Sequence, residues 1–384
     1  MSLRVPVKPE LLQWALRRSG RTQESMADKF KKLEDWLAGR LQPTLKQLEN
    51  FARATYTPIG YFFLPEPPEE TLPIPDFRTL PEARNQPPSV NMLETIYISL
   101  QRQAWYRDYA RLQGEPPIDF VGSATLEEEP SDVAARMRKR LSFDIETRMQ
   151  MRTWTEALRD FIRLTENAGV LVMVSGIVGS NTHRPLDVSE FRGFALADEF
   201  APLVFINGKD SKAAQMFTLA HELAHLWLGI SGVSDSEARA VPDERTERWC
   251  NAVAAELLAP LEEVRRALTD GEPLPDTVQR LARQFKVSSL VILRRLFDAG
   301  WINRDELEVA WQEELKRLEQ VARRGTGGGD FYNTLGAHVG KRFAQAVVVS
   351  ALEGQTPFTE AFRLLGVRKS HTFYEEARRL GVLE

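Results

Sequence analysis

The stretch His221-Glu222-Leu223-Ala224-His225 places two histidines four residues apart, with a glutamate directly after the first. The surrounding apolar residues predict a helix over residues 211–228. Residues four apart share one face of a helix, so both imidazoles point to one side, and Glu222 points to nearly the same side. Imidazole nitrogens suit zinc, and a catalytic zinc site needs three protein ligands and an open position. The stretch therefore predicts a zinc site in which Glu222 is the base.

The other interpretation of this helix is structural, with both histidines satisfied in the core. The chain has only five histidines among 384 residues, yet two of them have the required spacing. A purely structural role would place two imidazoles and a carboxylate on a largely apolar helix, where burying them without compensation is costly. We therefore prefer the metal site.

A third metal ligand has to come from another part of the chain. Glu247 opens a predicted helix about two dozen residues downstream, a gap that suits a ligand on the next helix. Glu244 and Glu256 are alternatives, although each would also be explained as a solvated helix charge. Glu247 is preferred to Glu256 because Ala254 and Ala255, beside Glu256, are typical packing residues.

Two neighbours of Glu247 have more than one interpretation. Cys250 follows it by three residues on the same face, so a thiolate ligand or a redox switch is conceivable, but a small buried residue is the preferred interpretation. Asn251 is a candidate to hydrogen-bond a metal ligand from behind. Packing at the helix end would explain Asn251 equally well.

The composition limits the classes of protein that the chain can belong to. It is 43% hydrophobic and 27% charged, which is typical of a globular protein with a substantial core. The net charge of −4 argues against nucleic-acid binding over the whole surface. A single cysteine excludes an internal disulfide and favours a reducing compartment. With no signal peptide and no apolar stretch of membrane-spanning length, we expect a soluble cytoplasmic protein without a membrane partner.

The chain divides into six predicted segments around a short β-rich region. Prolines crowd residues 65–88, and glycines crowd residues 323–330. Short β-rich runs at 170–174, 191–196 and 203–206 precede further helices, which predicts an α+β fold that is mostly helical. The segments are a helix-turn-helix-like module (1–65), a Pro-rich linker (66–90), a helical connector (91–150), a zinc metallopeptidase domain (151–322), a Gly-rich linker (323–330) and a helical C-terminal domain (331–384).

Several motifs in the middle of the chain occur in the order found in a known family. They are Phe191-Arg192-Gly193-Phe194-Ala195-Leu196, Pro-Leu-Val-Phe-Ile-Asn at 202–207, the run at 217–225 and the helix at 247–260. Residues 170–260 thereby resemble the ImmA/IrrE metallo-endopeptidases, which have a zincin-like sheet. The resemblance implies that His221, His225 and Glu247 bind zinc and that Glu222 is the catalytic base. It also implies cleavage of a regulatory protein, often a helix-turn-helix repressor.

The run Gly193-Phe194-Ala195-Leu196 is similar to the edge strand of that family. An exposed edge binds a peptide backbone by β-addition, which makes Gly193, Phe194 and Ala195 candidate substrate contacts. An ordinary core strand is the alternative. Arg192 is a candidate to contact substrate or to stabilise an oxyanion, or else it is a plain surface arginine.

The first 57 residues resemble the phage-repressor (XRE-type) helix-turn-helix module that often accompanies these peptidases. The resemblance rests on residues 23–27, 36–39 and 43–48, but only residues 28–35 separate the first two motifs. That interval is several residues short of a full recognition helix, which is needed to fill a major groove. Eleven Lys and Arg against six Asp and Glu leave a balance of about +5. DNA binding is therefore doubtful, and protein docking is preferred.

Two functions compete at this point. The first is a zinc-dependent endopeptidase that cleaves a specific regulatory or toxin/antitoxin-type partner protein, encoded nearby, with Zn²⁺ as its cofactor. The second is a DNA-binding or partner-binding transcriptional regulator or antitoxin that uses the zincin scaffold with little or no proteolysis. The pattern at His221 to Glu247 favours the first.

Overall fold

The computed structural model describes residues 4–78, 87–234, 245–324 and 338–383. The predicted fold class is confirmed, because a small mixed sheet lies among many helices. The chain forms two compact units. One comprises Met1–Pro73 with Gln86–Ile96, and the other comprises Ile74–Asn85 with Tyr97–Glu384. The six predicted segments remain a prediction.

The N-terminal unit has an apolar core of its own. Its helices are α1 (Pro9–Arg18), α2 (Gln23–Ala27), α3 (Leu33–Leu37) and α4 (Leu45–Ala54), followed by a 3₁₀ helix (Ile59–Phe63). Thr44 caps α4 in a capping box with Gln47, which explains where that helix begins. Trp36 and Phe51 pack edge to face in the core. Both α2 and α3 have only five residues, so the interval before Trp36 contains no long helix.

The sheet of the larger unit has four strands in the order β1-β5-β4-β6. The strands are β1 (Leu171–Ser175), β4 (Gly193–Leu196), β5 (Leu203–Asn207) and β6 (Gly232–Ser234), while β2 (Ile177–Val178) and β3 (Asn181–Pro185) form a separate pair. β1 and β5 are parallel, and β4 is antiparallel to both of its neighbours. Residues of β1, β4 and β5 are all buried, which accounts for their continuous apolar runs.

Of the two interpretations of Gly193–Leu196, the edge strand is wrong and the core strand is confirmed, because all four residues are buried. β4 is hydrogen-bonded to β5 on one side and to β6 on the other. Its backbone is therefore engaged on both sides and leaves no free edge for a peptide. β6 is the last strand on this side of the sheet. Its outer side pairs with the short extended stretch that contains Asp76, through a parallel bridge between Asp76 and Val233.

Ten helices are described between residues 90 and 324, and the first of them begins in residues that belong to the N-terminal unit. They are α5 (Val90–Leu112), α6 (Pro130–Leu141), α7 (Ile145–Gln150), α8 (Trp154–Asn167), α9 (Lys212–Leu228), α10 (Arg245–Leu258), α11 (Leu261–Arg266), α12 (Leu274–Phe285), α13 (Ser289–Asp298) and α14 (Arg304–Arg324). α9 packs against the sheet through β4 and β5, and against α8 and α10. It is buried along nearly its whole length, because it lies between the sheet and other helices.

Three further helices, α15 (Lys341–Leu352), α16 (Phe358–Leu365) and α17 (Ser370–Arg379), follow at the C-terminal end. The backbone N–H of Arg342, in the first turn of α15, donates a hydrogen bond to the buried carboxyl of Glu166. The predicted Gly-rich linker lies almost wholly outside the described residues, as does part of the Pro-rich one. None of the helices in the described ranges combines the length and the apolar character that a membrane span needs.

Candidate metal centre

The centre is built on α9, whose ends are both specified by the sequence. The side chain of Ser211 caps the first turn by accepting a hydrogen bond from the backbone N–H of Ala214. Gly229 ends the helix in the left-handed conformation that glycine adopts at low cost. Between these caps, His221 and His225 are separated by one turn, and their Nε2 atoms lie 3.1 Å apart. Both side chains are fully buried.

The third candidate ligand is contributed by α10, which packs against α9. Glu247 Oε2 lies 3.2 Å from His221 Nε2, and Glu247 Oε1 lies 2.9 Å from His225 Nε2. The Glu247 side chain is 1% exposed. One carboxylate thus meets both imidazoles at the point where the two helices cross.

Asn251 lies one turn after Glu247 and faces the same centre. Its Oδ1 is 2.9 Å from His221 Nδ1. Because a side-chain amide oxygen only accepts, this contact places the proton of neutral His221 on Nδ1 and leaves a lone pair on Nε2. The orientation suits a metal ligand whose second ring nitrogen is held by a neighbouring group.

The side chain of Glu222 extends from α9 towards the sheet. Its Oε1 accepts a hydrogen bond from the hydroxyl of Ser234 on β6. Its Oε2 has no hydrogen-bond partner among the described residues, although the side chain is fully buried. Burial raises the pKa of Glu222 to about 8. A buried carboxyl with one free oxygen is well suited to exchange a proton with a bound molecule.

The electrostatics of the three candidate ligands are coupled. Burial opposes ionisation of Glu247, but the two histidines outweigh it and lower the pKa of Glu247 to about 2. Burial also acts to lower the pKa of His221, yet the neighbouring carboxylates, Glu247 above all, outweigh it and the pKa is raised. Burial dominates at His225, whose pKa is lowered. The centre therefore concentrates negative charge on Glu247, which favours a cation.

This donor set fits a metal ion. The ligand atoms of His221, His225 and Glu247 all lie within 4.8 Å of one another. Neighbouring ligand atoms of a tetrahedral zinc site are about 3.3 Å apart when each bond is about 2.0 Å. The observed separations of 2.9–3.2 Å are close to that spacing. Two imidazoles and one carboxylate also match a known ligand set of catalytic zinc.

Other residues predicted from the sequence lie elsewhere or have other partners. Glu256 pairs with Arg295 instead of a histidine, and Glu244 lies outside the described residues. The guanidinium of Arg192 forms an ion pair with Asp210. The remaining three candidate substrate contacts are buried in the doubly paired strand β4; these are Gly193, Phe194 and Ala195.

Two residues near the centre, Ser234 and Phe77, are not predicted by the sequence. Ser234 belongs to a three-residue strand that has no recognisable pattern. Phe77 belongs to the Pro-rich stretch, yet its ring stacks on the imidazole of His225 with centroids 5.5 Å apart and planes at 17°. An aromatic residue among prolines was the only available signal. Neither residue could be placed without knowledge of the strand order.

Comparison with known families agrees with this chemistry. Residues 165–297, about a third of the chain, match a peptidase family whose domain is described as IrrE N-terminal-like. Residues 339–379 match a domain of unknown function (DUF8813). A search of curated proteins gave no match. The match over residues 165–297 contains the three candidate ligands and Glu222, and it supports both a relationship to the ImmA/IrrE family and a metallopeptidase-type function.

Proposed function

We propose that this chain is a zinc-dependent endopeptidase that cleaves a specific regulatory or toxin/antitoxin-type partner protein. The observation that carries the proposal is the convergence of His221, His225 and Glu247 beside the buried carboxyl of Glu222. The match to a peptidase family over the same residues supports it. His221, His225 and Glu247 would hold the metal, and Asn251 would orient His221.

A bound zinc ion supplies positive charge that polarises the scissile carbonyl and acidifies a water molecule. Glu222 accepts a proton from the attacking water and donates it to the amide nitrogen of the leaving group. Ser234 holds one oxygen of Glu222, so the proton is exchanged at the other oxygen. Burial raises the pKa of Glu222 to about 8, and with a cation held by the three ligands its carboxylate form would be favoured.

The restricted access to the centre favours a narrow range of substrates. The three ligand side chains are at most 1% exposed, and an aromatic ring covers His225. A peptide that binds over His225 would have to displace that ring. Cleavage of one specific partner protein is more compatible with this arrangement than general digestion. The N-terminal unit, which has its own core and whose first 57 residues have a charge balance of about +5, is our candidate for docking the partner.

The test replaces Glu222 with Gln and measures zinc per chain and peptide cleavage on the same samples. We expect zinc to be retained and cleavage of a peptide library, followed by mass spectrometry, to fall at least about a hundredfold. Glu199→Gln, an exposed substitution of the same type, is the matched control. Wild-type cleavage by the zinc-loaded Glu222→Gln protein would exclude the assigned mechanism. The product of a neighbouring gene is the first partner protein to test.

The second candidate function is a regulator or antitoxin with little proteolysis, and the covered metal centre is the observation that favours it. Its DNA-binding form is disfavoured because α3 has only five residues. Titration of the full chain with its own promoter at increasing salt tests this form. Specific binding that weakens steeply with salt would support DNA recognition.

A further inference from the structure

A short extended segment, residues 74–78, lies along the outer side of β6. We call it the covering segment. The backbone N–H of Phe77 donates to the carbonyl of Val233 over 2.9 Å, and the N–H of Val233 donates to the carbonyl of Pro75 over 3.0 Å. The two strands run parallel. This is the geometry in which an extended peptide adds to the edge of a sheet.

The covering segment also places a side chain directly on the metal centre. The ring of Phe77 stacks on His225 with centroids 5.5 Å apart. Gly232 makes this position possible, because a Cβ at residue 232 would lie 2.2 Å from Cδ2 and 2.3 Å from Cε2 of that ring. Any larger residue at position 232 would exclude the ring. The site that the ring of Phe77 occupies is therefore formed by Gly232 of β6 and by the candidate metal ligand His225 of α9.

Within the segment, Asp76 and Arg78 form a local ion pair. Asp76 Oδ1 accepts from the backbone N–H of Arg78 over 3.1 Å and from its Nε over 2.8 Å. The side chain of Arg78 is 2% exposed. Proline at 73 and 75 has no backbone N–H, so neither can donate to β6. The backbone bonds between the segment and β6 that the structure shows both involve Val233, and an added peptide would make bonds of the same kind.

We propose that the covering segment is a built-in peptide ligand of the metal centre. It occupies the edge of β6 where a substrate would bind, and Phe77 fills a subsite over His225. Substrates are then extended peptides with a large apolar or aromatic side chain at the position of Phe77, and they bind by displacing the segment. This inference rests on the proposed function. The segment therefore competes with a substrate for this edge and this subsite.

The test measures peptide binding in the full-length zinc-loaded chain that carries Glu222→Gln, so that cleavage plays no part. The probe is a fluorescein-labelled peptide with the sequence of residues 73–78, Pro-Ile-Pro-Asp-Phe-Arg, followed by fluorescence anisotropy. Adding Phe77→Ala should strengthen probe binding at least about tenfold, because the subsite is vacated. Phe63→Ala, which removes an exposed ring from the N-terminal unit, is the matched control and should leave binding unchanged.

Gly232→Ala separates this inference from a general loosening of the protein. Added to Phe77→Ala, it should abolish the gain, because the new methyl group occupies the seat of the ring. If Phe77→Ala does not fold, Gly232→Ala alone is informative. It should expel the ring of Phe77 and let a probe with Ala in place of Phe bind at least about fivefold tighter than it binds the parent chain.

Equal probe affinity with and without the Phe77 ring overturns the inference. So does a gain that survives Gly232→Ala in the double variant. Cleavage is then compared in chains that retain Glu222, with and without Phe77→Ala. Tighter probe binding without any cleavage would support the covering segment and contradict the proposed peptidase function, so the two failures are distinguishable.

Discussion

Gly193 on β4 lies against the carboxyl of Glu222, and the absence of a side chain at residue 193 makes room for that carboxyl. A Cβ at Gly193 would lie 3.0 Å from Glu222 Oε1 and 2.5 Å from Thr218 Cγ2. Glycine within a strand often marks such a close approach. The strand that the sequence offers as a backbone contact for substrate thus lies against the candidate base instead.

Gly193→Ala should impair catalysis without removing the metal ligands. The added methyl group would crowd Glu222 together with Thr218 and the carbonyl oxygen of Phe205. We therefore expect peptide cleavage to fall at least about tenfold while zinc per chain is retained. The melting temperature is measured on the same samples. Gly60→Ala, where a Cβ would meet nothing within 4 Å, is the control. Full activity of Gly193→Ala would show that catalysis does not depend on the close approach of Glu222 to residue 193.

Asn251→Ala should weaken metal binding. Without the contact to Nδ1, the ring of His221 is free to rotate or change tautomer, and we expect zinc affinity to fall by about 10- to 100-fold. Competition with a chromophoric chelator measures the affinity directly. The exposed Asn167→Ala is the matched control. Unchanged zinc affinity would mean that Asn251 only packs against the helix.

Ser234→Ala should shift the acid limb of the pH profile. The hydroxyl of Ser234 lowers the pKa of Glu222, which burial raises, so its removal should raise that pKa further. A base works only when deprotonated, and activity is lost as pH falls through its pKa. The acid limb of kcat/KM should therefore move to higher pH in Ser234→Ala. Ser123→Ala, at an exposed serine, should leave the profile in place. A limb that moves to lower pH would contradict the assignment of Glu222.

Glu166→Gln should change how stability depends on pH, independently of the metal centre. Burial raises the pKa of Glu166 from 4.5 to about 7, so its protonated form stabilises the folded state. That contribution is fully present below pH 4.5 and is lost as pH rises through about 7. The uncharged amide avoids the loss and retains an oxygen for the backbone N–H of Arg342.

The size of this effect follows from the pKa shift. Relative to wild type, Glu166→Gln should gain about 3 kcal/mol in free energy of unfolding between acidic pH and pH 8. Urea unfolding followed by tryptophan fluorescence, repeated across that range, measures the difference. Glu199→Gln, at an exposed position, should show no such trend. If the difference in free energy of unfolding between Glu166→Gln and wild type stays constant across this pH range, the prediction is wrong.

Much of the secondary structure could be predicted because its signals are local. The expected helix over residues 211–228 is found at Lys212–Leu228, with Ser211 and Gly229 as its caps. The buried strands at β1 and β5 were indicated by short apolar runs. The same runs do not indicate which strand pairs with which. The sequence therefore leaves open whether β4 is an edge or a core strand, and it does not predict the three-residue β6.

For the candidate site, local sequence was sufficient for His221, Glu222 and His225, because the period of one helix places all three together. Their meeting with Glu247 depends on the packing of α10 against α9. Three further residues lie at the site because of how β6 is paired. Its pairing with β4 places Ser234 and Gly193 there, and its pairing with residues 75–77 places Phe77 there. These contacts join residues that are far apart along the chain, and such pairings are specified by the packing of the whole core and not by any short pattern.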